Sequence, residues 1–506
     1  MRIGKTLYTV LMALALVVFI AYFAIYVMYA GALFRFPLDY DQGEGFELND
    51  AILFSQGQWP YRDNEAYPFY ASNYPPLFHL MMVPLVWILG RTLLAGRILS
   101  FAATLVVGAV VGWIVMRKTR QAALAALCGL MVFASNYIYH VGPLARLHLT
   151  MVMFELLAIA VLAEIKDAPG GKGKLLLGLA LLTCAGWTKQ LALATVVAAF
   201  VYLLWRWPRQ AFKAGLGFAL VNGALFLAIN LATGGQWFVN IIQANVNAYD
   251  IGQALWLYRQ CFQLHGVLIV LSVAYVVYEL VARQLSLYSI WFVAAVANSA
   301  LAGKWGAGES YFTTAVVAAC VLSGLALGRI ANSKFQISSK FVIPLAFLLQ
   351  AVLVLHLPTD GRRFAALADL VGVGRQATVY AGYSYYDSGG YTQLGHLLAP
   401  RDLEAAERLL AYVRDCRGPA LTEEATLAIL AGKEVVTNPT QLLNLYNNGL
   451  YDPASLIAMV EARQFCVVVL RAQFYPPPLL EAVGQAYQTV DQVPMNGFVY
   501  RVLKAR

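Results

Sequence analysis

The feature that most constrains this sequence is a long series of apolar segments, each close to the length of a membrane-spanning helix. A span needs about 20 apolar residues, with a range of roughly 17 to 25. Such segments lie at 7–29, 94–116, 122–139, 148–165, 174–188, 190–205, 214–233, 262–282, 286–302, 309–328 and 341–358. Only 12% of the 506 residues are charged, about half the usual share of a soluble domain. The sequence therefore predicts an all-α polytopic membrane bundle of about 11 to 13 spans.

The loops between these segments predict the orientation of the chain, because Lys and Arg in short loops favour the cytoplasmic side. The basic clusters are Arg2/Lys5, Arg117/Lys118/Arg120, Lys166/Lys172/Lys174, Arg206/Arg209/Lys213, Arg283 and Arg329/Lys334/Lys340. The segment 76–90 contains His79 and Pro84 and is short, which favours a re-entrant or interfacial helix. We expect a multi-pass protein of the cytoplasmic membrane with its N-terminus inside and residues 30–75 outside.

The last part of the chain has the composition of a soluble domain. Residues 1–358 hold 23 Lys and Arg against 13 Asp and Glu, whereas residues 359–506 hold 13 against 14. Helical spacing at 401–415 and strand-like runs at 465–470 and 498–503 predict a small α/β domain at 359–506 on the outer side. Cys416 and Cys466 could form a disulfide there if the compartment is oxidising. The domain has no phosphate-loop or metal-ligand spacing, so a structural cap is its simplest interpretation.

The first outer loop, 30–75, is strongly acidic. Seven acids lie between Asp39 and Glu65, and Arg62 is the single cation among them. Asp41, Glu44, Glu47 and Asp50 recur at every third residue, so a helix starting here would bring them to neighbouring positions. A solvated acidic face is one interpretation. The functional one is a carboxylate general base, or a divalent metal site formed by Asp41 and Glu44.

Positively charged side chains are predicted at the outer ends of several distant spans. They are Arg146, Lys189, Arg259 and Lys304. Ionisable groups at such positions are costly, which suggests a partner or ligand, although such side chains can also extend to the interface. We expect these cations to hold a phosphate group. Glu309, in the segment that ends at Tyr311, could pair with Lys304 or serve as a second carboxylate.

A proline-rich turn, Asn73-Tyr74-Pro75-Pro76-Leu77, opens the short apolar segment. Prolines are well tolerated at a helix start, so this turn could simply initiate the helix. Alternatively, it is a rigid turn that directs Asn73 and Tyr74, and His79 behind them, into a binding site.

Together these motifs resemble the bacterial GT-C integral-membrane glycosyltransferases, relatives of the protein O-mannosyltransferases and the lipid A aminoarabinose transferases. The resemblance rests on the acidic outer loop, the Tyr-Pro-Pro-Leu turn, Gly96-Arg97 with Ser100, Thr188-Lys189-Gln190, and the loop 303–312. It covers residues 1–358 and implies a polyprenyl-phosphate sugar as donor, a base from the first outer loop, and inversion at the sugar carbon. It makes Asp41 or Glu44 the catalytic residue and places Asn73 and Tyr74 near the donor phosphate.

Two departures from these relatives shape the expectations. The adjacent Asp-Glu pair of protein O-mannosyltransferases is split here by Gln42-Gly43, so both Asp41 and Glu44 stay candidates. Aminoarabinose transferases have Lys before Pro-Pro-Leu, where this chain has Tyr74, so Lys189 or Lys304 would bind the phosphate.

The function that we expect is transfer of a sugar from a polyprenyl-phosphate donor to a hydroxyl acceptor on a glycan, lipid or protein. The sequence predicts either no cofactor or a divalent metal ion, and no nucleic-acid partner. A transporter or flippase of lipid-linked or anionic substrates is the alternative. It would also explain the charges near the membrane, but transporters typically show internal repeats or broken helices in corresponding halves, and this sequence shows neither.

Overall fold

The computed structural model describes residues 2–165, 171–333, 340–355, 400–496 and 498–506. It has the architecture expected from the sequence, a bundle of apolar helices followed by a small region of mixed helices and strands. Lys166, Lys334, residues 356–358 of the last expected span and residues 359–399 of the expected C-terminal domain lie outside the described residues.

The helices of the bundle follow the apolar segments closely. They are α1 (Arg2–Arg35), α4 (Leu94–Thr119), α5 (Ala122–Ala134), α7 (His148–Leu162), α8 (Lys172–Thr188), α9 (Leu193–Arg206), α10 (Pro208–Ala232), α12 (Ile251–Val281), α13 (Leu287–Asn298), α14 (Thr313–Asn332) and α15 (Val342–Leu355). Within the described residues, five helices are long and apolar enough to cross a membrane: Gly4–Arg35, Leu94–Thr119, Pro208–Ala232, Ile251–Val281 and Glu309–Asn332. The shorter apolar helices need partners or a thinner membrane region to cross, so the number of crossings and the orientation stay predictions.

Four short helices lie between these long ones, namely α2 (Glu44–Ser55), α3 (Leu77–Leu89), α6 (Asn136–Val141) and α11 (Gln236–Ile241). The acidic spacing correctly predicted α2, which begins directly after Gly43. Gly43 has a φ of 109°, and a Cβ atom there would collide with the Arg146 guanidinium. Glycine is therefore required at this turn, both for its backbone and for the approach of Arg146.

The described part of the C-terminal region, from residue 400 onward, contains five helices and one sheet. Its helices are α16 (Pro400–Arg414), α17 (Ala425–Leu430), α18 (Pro439–Asn447), α19 (Ala454–Glu461) and α20 (Pro477–Ala486), and its strands are β1 (Ala420–Thr422), β2 (Val467–Leu470), β3 (Tyr487–Met495) and β4 (Phe498–Ala505). The strand order is β1-β2-β4-β3, with β1 and β2 parallel and the other pairs antiparallel. Cys416 and Cys466 form a disulfide beside this sheet.

The C-terminal region packs directly on the first outer loop. The Thr426 hydroxyl donates to the Asp39 carboxylate, and the Asn496 amide donates to the Tyr40 carbonyl at 2.9 Å. Ala425 and Ala428 share a buried apolar cluster with residues of α2. The acidic loop is therefore enclosed between the membrane bundle and the C-terminal region.

Candidate functional site

Two neighbouring cavities meet at Tyr74, which lines both of them. The first, which we name the acidic cavity, has a volume of about 370 Å³ and contains Asp41, Glu47, Asp50 and Arg146 in its wall. The second, which we name the apolar cavity, has a volume of about 570 Å³ and contains Lys189, Lys304 and Tyr311. The proline-rich turn thus stands between an acidic and a cationic site, with Asn73 on the acidic side.

Asp41, one of the predicted acids, faces the acidic cavity and forms an ion pair with Arg146. Its Oδ2 lies 3.3 Å from the Nε atom of Arg146, and the Arg146 Nη1 atom lies 3.9 Å from Glu47. Arg146 is held by Ser100 of α4, whose hydroxyl donates to the Arg146 carbonyl at 2.9 Å. One arginine is thus shared by two carboxylates, and the cavity wall keeps a net negative charge.

Glu44 has a different environment, although the sequence placed it beside Asp41 as a candidate base. It is fully buried, and its two oxygens accept hydrogen bonds from Arg97 Nε and Nη2 and from the backbone N–H groups of Tyr40 and Ala145, at 2.8–2.9 Å. Burial alone would raise the pKa of Glu44, but the Arg97 charge and these hydrogen bonds hold it below its ordinary value. This carboxylate lines neither cavity, and its accepting positions are filled.

Arg97 links this carboxylate to the end of the first helix. Its remaining N–H groups donate to the carbonyls of Leu33, Phe36 and Leu38 at 2.5–2.9 Å, so all five of its donors are used. Arg97 and Ser100 lie one turn apart on α4 and position the two segments that carry Glu44 and Arg146. In the sequence, Arg97 stood out only as part of a family motif, yet a charged residue at the start of an apolar segment itself indicates a buried partner.

Behind the acidic cavity, Glu47, Asp50 and His79 converge in what we name the carboxylate–imidazole cluster. His79 Nε2 lies 2.6 Å from Glu47 and 3.5 Å from Asp50, and the Tyr70 hydroxyl donates to Asp50 at 2.7 Å. Burial raises the pKa of Asp50 to about 6, against the opposing charge of His79. His79 thus supports the two acids and does not line either cavity.

The same cluster bears on metal binding. One ligand atom from each of its residues lies within 4.8 Å of the others, a spacing that suits a divalent ion. The sequence placed such an ion on Asp41 and Glu44. However, the Glu44 oxygens already accept from four donors, so among the described residues this cluster is the better candidate ligand set. The use of a metal stays a prediction.

The apolar cavity has a mostly aliphatic wall that also contains two lysines. The Lys189 ammonium lies 2.5 Å from His148 Nε2 and stands over the rings of Tyr74 and Tyr311 at 5.0 and 5.3 Å. Lys304 donates to the Asn245 carbonyl at 2.6 Å. The rest of the wall is mostly aliphatic and includes Leu191, Leu193, Ala194, Val197, Ile241, Ile242, Ala294, Ala297 and Leu301. Such a cavity can hold an anion attached to a hydrocarbon chain.

The structure separates the remaining predicted residues from these cavities. Arg259 is exposed on α12 and does not line either cavity, although we expected it to contribute to phosphate binding. Glu309 is buried and is not among the cavity residues either. Sequence reasoning missed His148, which follows Arg146 by two residues at the start of α7, and the C-terminal residues Asn438, Thr440 and Phe474 in the acidic cavity.

Comparison with known proteins gives one family match. Residues 69–229 match the family described as dolichyl-phosphate-mannose-protein mannosyltransferase. This segment carries the proline-rich turn, Arg97, Arg146 and Lys189. No curated protein matches the chain by sequence.

Solved structures share the fold over nearly the whole chain. ArnT from Cupriavidus metallidurans bound to undecaprenyl phosphate superposes with a TM-score of 0.60 at 16% identity, covering 98% of this chain and 97% of the other. Its apo form gives a TM-score of 0.61 at 15% identity, covering 98% of each chain. An Archaeoglobus fulgidus oligosaccharyltransferase gives 0.51 at 11% identity, covering 95% of this chain and 73% of the other.

Proposed function

We propose that this chain, a membrane glycosyltransferase of the GT-C superfamily, transfers a sugar from a polyprenyl-phosphate donor to a hydroxyl acceptor, with Asp41 as the base. The superfamily that the sequence motifs suggested is confirmed by the family match and by the fold shared with ArnT. The donor class follows from this family, and one of the similar structures holds undecaprenyl phosphate. The roles of individual residues are our own assignment.

The observation that carries this proposal is that Tyr74 lines two cavities of opposite character. A lipid-linked donor has a hydrocarbon tail and a phosphate, which match the aliphatic wall of the apolar cavity and its two lysines. Its anomeric carbon would then lie beside Tyr74, between the lysines and Asp41, which leaves the acidic cavity to the acceptor.

The proposed reaction is a direct displacement at the anomeric carbon of the donor sugar. The acceptor oxygen forms a bond to this carbon while the bond from the carbon to the phosphate oxygen breaks. The leaving polyprenyl phosphate keeps the bonding electron pair, and the acceptor proton passes to the Asp41 carboxylate. A single displacement of this kind inverts the configuration at the sugar carbon.

Lys189 and Lys304 would stabilise the charge that develops on the leaving phosphate. The Lys189 ammonium is held in place by His148 and flanked by two tyrosine rings, so little reorganisation is needed when charge appears. Asp41 is assigned the base role over Glu44 because Asp41 lines a cavity, whereas the oxygens of Glu44 already accept hydrogen bonds from four donors.

We also propose that residues 1–358 form the transferase domain, with 30–75 as its catalytic outer loop, and that 359–506 form a separate domain on the outer face of the cytoplasmic membrane. The disulfide between Cys416 and Cys466 supports an oxidising compartment for the C-terminal region. Since that region packs on Asp39 and Tyr40, the acidic loop would lie on the same side. Nucleotide sugars are not expected there, which favours a lipid-linked donor.

The test is release of polyprenyl phosphate from a radiolabelled polyprenyl-phosphate sugar by the purified protein, with cell-envelope extract as a source of acceptors. We expect Asp41→Asn to reduce turnover about 10²- to 10⁴-fold, the usual contribution of a general base. Asp63→Asn is the matched control, because Asp63 is an exposed acid of the same loop that lies outside both cavities. Wild-type turnover in Asp41→Asn would show that another group is the base.

A further inference from the structure

Two half-buried aromatic rings form part of the acidic cavity wall. Trp305 belongs to the loop 304–308 of the membrane part, and Phe474 precedes α20 in the C-terminal region. Their ring centroids lie 5.9 Å apart with an interplanar angle of 85°. An edge-to-face pair does not cover both ring faces by stacking, so aromatic surface is left for a ligand in this cavity.

The backbone of both aromatic residues is held by hydrogen bonds. The Trp305 N–H donates to the Ala248 carbonyl and its carbonyl accepts from the Asn247 amide, each at 2.8 Å. The Phe474 N–H donates to Glu423 at 2.7 Å, and this buried carboxylate also accepts from the backbone of the two residues that start the same turn. The two backbone segments that carry the rings are therefore preorganised, and the rings contact each other across the cavity wall.

The charges of the cavity argue against an anionic ligand. Its wall contains three carboxylates, Asp41, Glu47 and Asp50, and one arginine, Arg146, and His79 lies behind Glu47 and Asp50. The negative charges are therefore in excess, while both lysines line the neighbouring cavity. A phosphate or carboxylate placed here would be repelled by this net negative charge. Neutral hydroxyl groups, in contrast, can donate hydrogen bonds to carboxylates.

Among neutral ligands that carry hydroxyl groups, the aromatic wall favours sugar rings over serine or threonine side chains. A pyranose ring has a face of C–H groups that packs on an aromatic face and a rim of hydroxyls that can reach Asp41 and the hydroxyl of Thr440, which also lines the cavity. A serine or threonine side chain has a hydroxyl but no such face. The volume of about 370 Å³ lies within the range of small-molecule sites and is compatible with a single sugar ring.

We propose that the acidic cavity is an acceptor subsite for a neutral sugar ring stacked against Trp305 and Phe474, so that the acceptor is a glycan hydroxyl. This inference rests on the proposed function, since it uses Asp41 as the base. It assigns the C-terminal region a part in acceptor recognition, beyond the structural cap that the sequence suggested. The subsite would exclude acceptors whose reacting ring carries phosphate.

The experiment has a binding arm that needs no donor. Saturation-transfer difference NMR would be recorded on the purified full-length protein with a panel of neutral oligosaccharides, glucose 6-phosphate and a Ser/Thr-rich peptide. We expect saturation transfer to ring C–H protons of a neutral saccharide, and at least a tenfold weaker signal in Trp305→Leu and Phe474→Leu. Trp305→Tyr and Phe474→Tyr keep an aromatic face and should retain the signal if they fold. Trp59→Leu is the control, because this exposed ring of the outer loop lines neither cavity.

The second arm measures transfer from the labelled donor. For the saccharide that binds, both leucine variants should raise the KM for acceptor about tenfold and leave the KM for donor unchanged. Transfer only to the peptide or to a phosphorylated sugar, or no binding by any neutral saccharide, would overturn the acceptor assignment while leaving the donor and the base intact. Absence of polyprenyl phosphate release with every acceptor would instead reject the proposed function itself.

Discussion

Replacing Glu44 or Asp41 by the matching amide should separate a structural carboxylate from a catalytic one. All four partners of Glu44 are hydrogen-bond donors: two N–H groups of Arg97 and the backbone N–H groups of Tyr40 and Ala145. In Glu44→Gln the new NH₂ group, itself a hydrogen-bond donor, lies against other N–H donors and cannot bond to them. The fully buried Arg97 also loses the negative charge that it pairs with. Removing one partner of a buried ion pair typically costs about 3–5 kcal/mol of folding free energy.

Asp41→Asn should have the opposite profile. Arg146 keeps Glu47 within 3.9 Å, so the loss of stability should be close to that of a single net hydrogen bond, about 1 kcal/mol. Its turnover should nevertheless fall as described above, because an amide cannot accept the proton of the acceptor hydroxyl at neutral pH.

The assay heats each detergent-solubilised variant, measures the fraction that stays monodisperse, and then measures turnover per folded molecule. We expect Glu44→Gln to lose thermal stability but to retain much of its turnover per folded molecule, and Asp41→Asn to do the reverse. The reasoning would be refuted if Glu44→Gln were as stable as the wild type and inactive, since that would identify Glu44 as the base.

Three further predictions follow from the same contacts. Lys304→Ala and Lys189→Ala should each raise the KM for the polyprenyl-phosphate donor about 10- to 100-fold, because each variant loses a charge-assisted hydrogen bond of roughly 1.5–3 kcal/mol. Lys504→Ala, on the exposed end of β4, is the control and should leave this KM unchanged. An unchanged KM in folded Lys304→Ala and Lys189→Ala would reject the phosphate site. Burial and the nearby Glu424 charge raise the pKa of Asp39. The folded protein therefore binds more protons than the unfolded chain, and its stability should fall as pH rises above about 4. Asp39→Asn should reduce this pH dependence of thermal unfolding between pH 5 and 8, and an unchanged slope would contradict the prediction. Turnover should survive treatment with EDTA, because the proposed displacement uses the Asp41 carboxylate and the two lysines and has no step that needs a metal ion. Loss of turnover restored by Mn²⁺ would show that the carboxylate–imidazole cluster binds a metal.

The sequence predicted the helices well because a membrane span is defined by local apolarity. The segment 94–116 became Leu94–Thr119, and 214–233 became Pro208–Ala232. The expected span 262–282 lies within α12, which starts eleven residues earlier, at residue 251, and has a kink at His265. Its first part carries Gln253, Arg259 and Gln260, and a polar helix end leaves no signal in an apolarity pattern.

The sequence predicted which residue types form the site, but it did not predict how these residues are distributed between the two cavities. Tyr74, Lys189 and Lys304 were expected to lie near one ligand, and they do line a common cavity. The pairing of Glu44 with Arg97 joins positions 53 residues apart, and Phe474 reaches the acidic cavity from the C-terminal region. Such pairings depend on long-range packing, which a local pattern of charges does not encode. Arg259 satisfied the same local criteria as Lys304 and is exposed.

The separation of charges between the two cavities follows from what the proposed transfer requires. If the two lysines shared a cavity with Asp41, the opposite charges would pair with one another, so the lysines would bind the phosphate less well and Asp41 would accept the acceptor proton less readily. Tyr74 keeps them apart with a neutral side chain, at the position where the aminoarabinose transferases that the sequence motifs resemble have a lysine. The loop 304–308 repeats this division, because Lys304 lines the apolar cavity and its neighbour Trp305 lines the acidic one. The Gln253 amide donates to the carbonyls of residues 302, 304 and 307, and so holds the segment that carries both Lys304 and Trp305. The distance between the leaving phosphate and the acceptor ring would therefore be set by a single short segment of backbone.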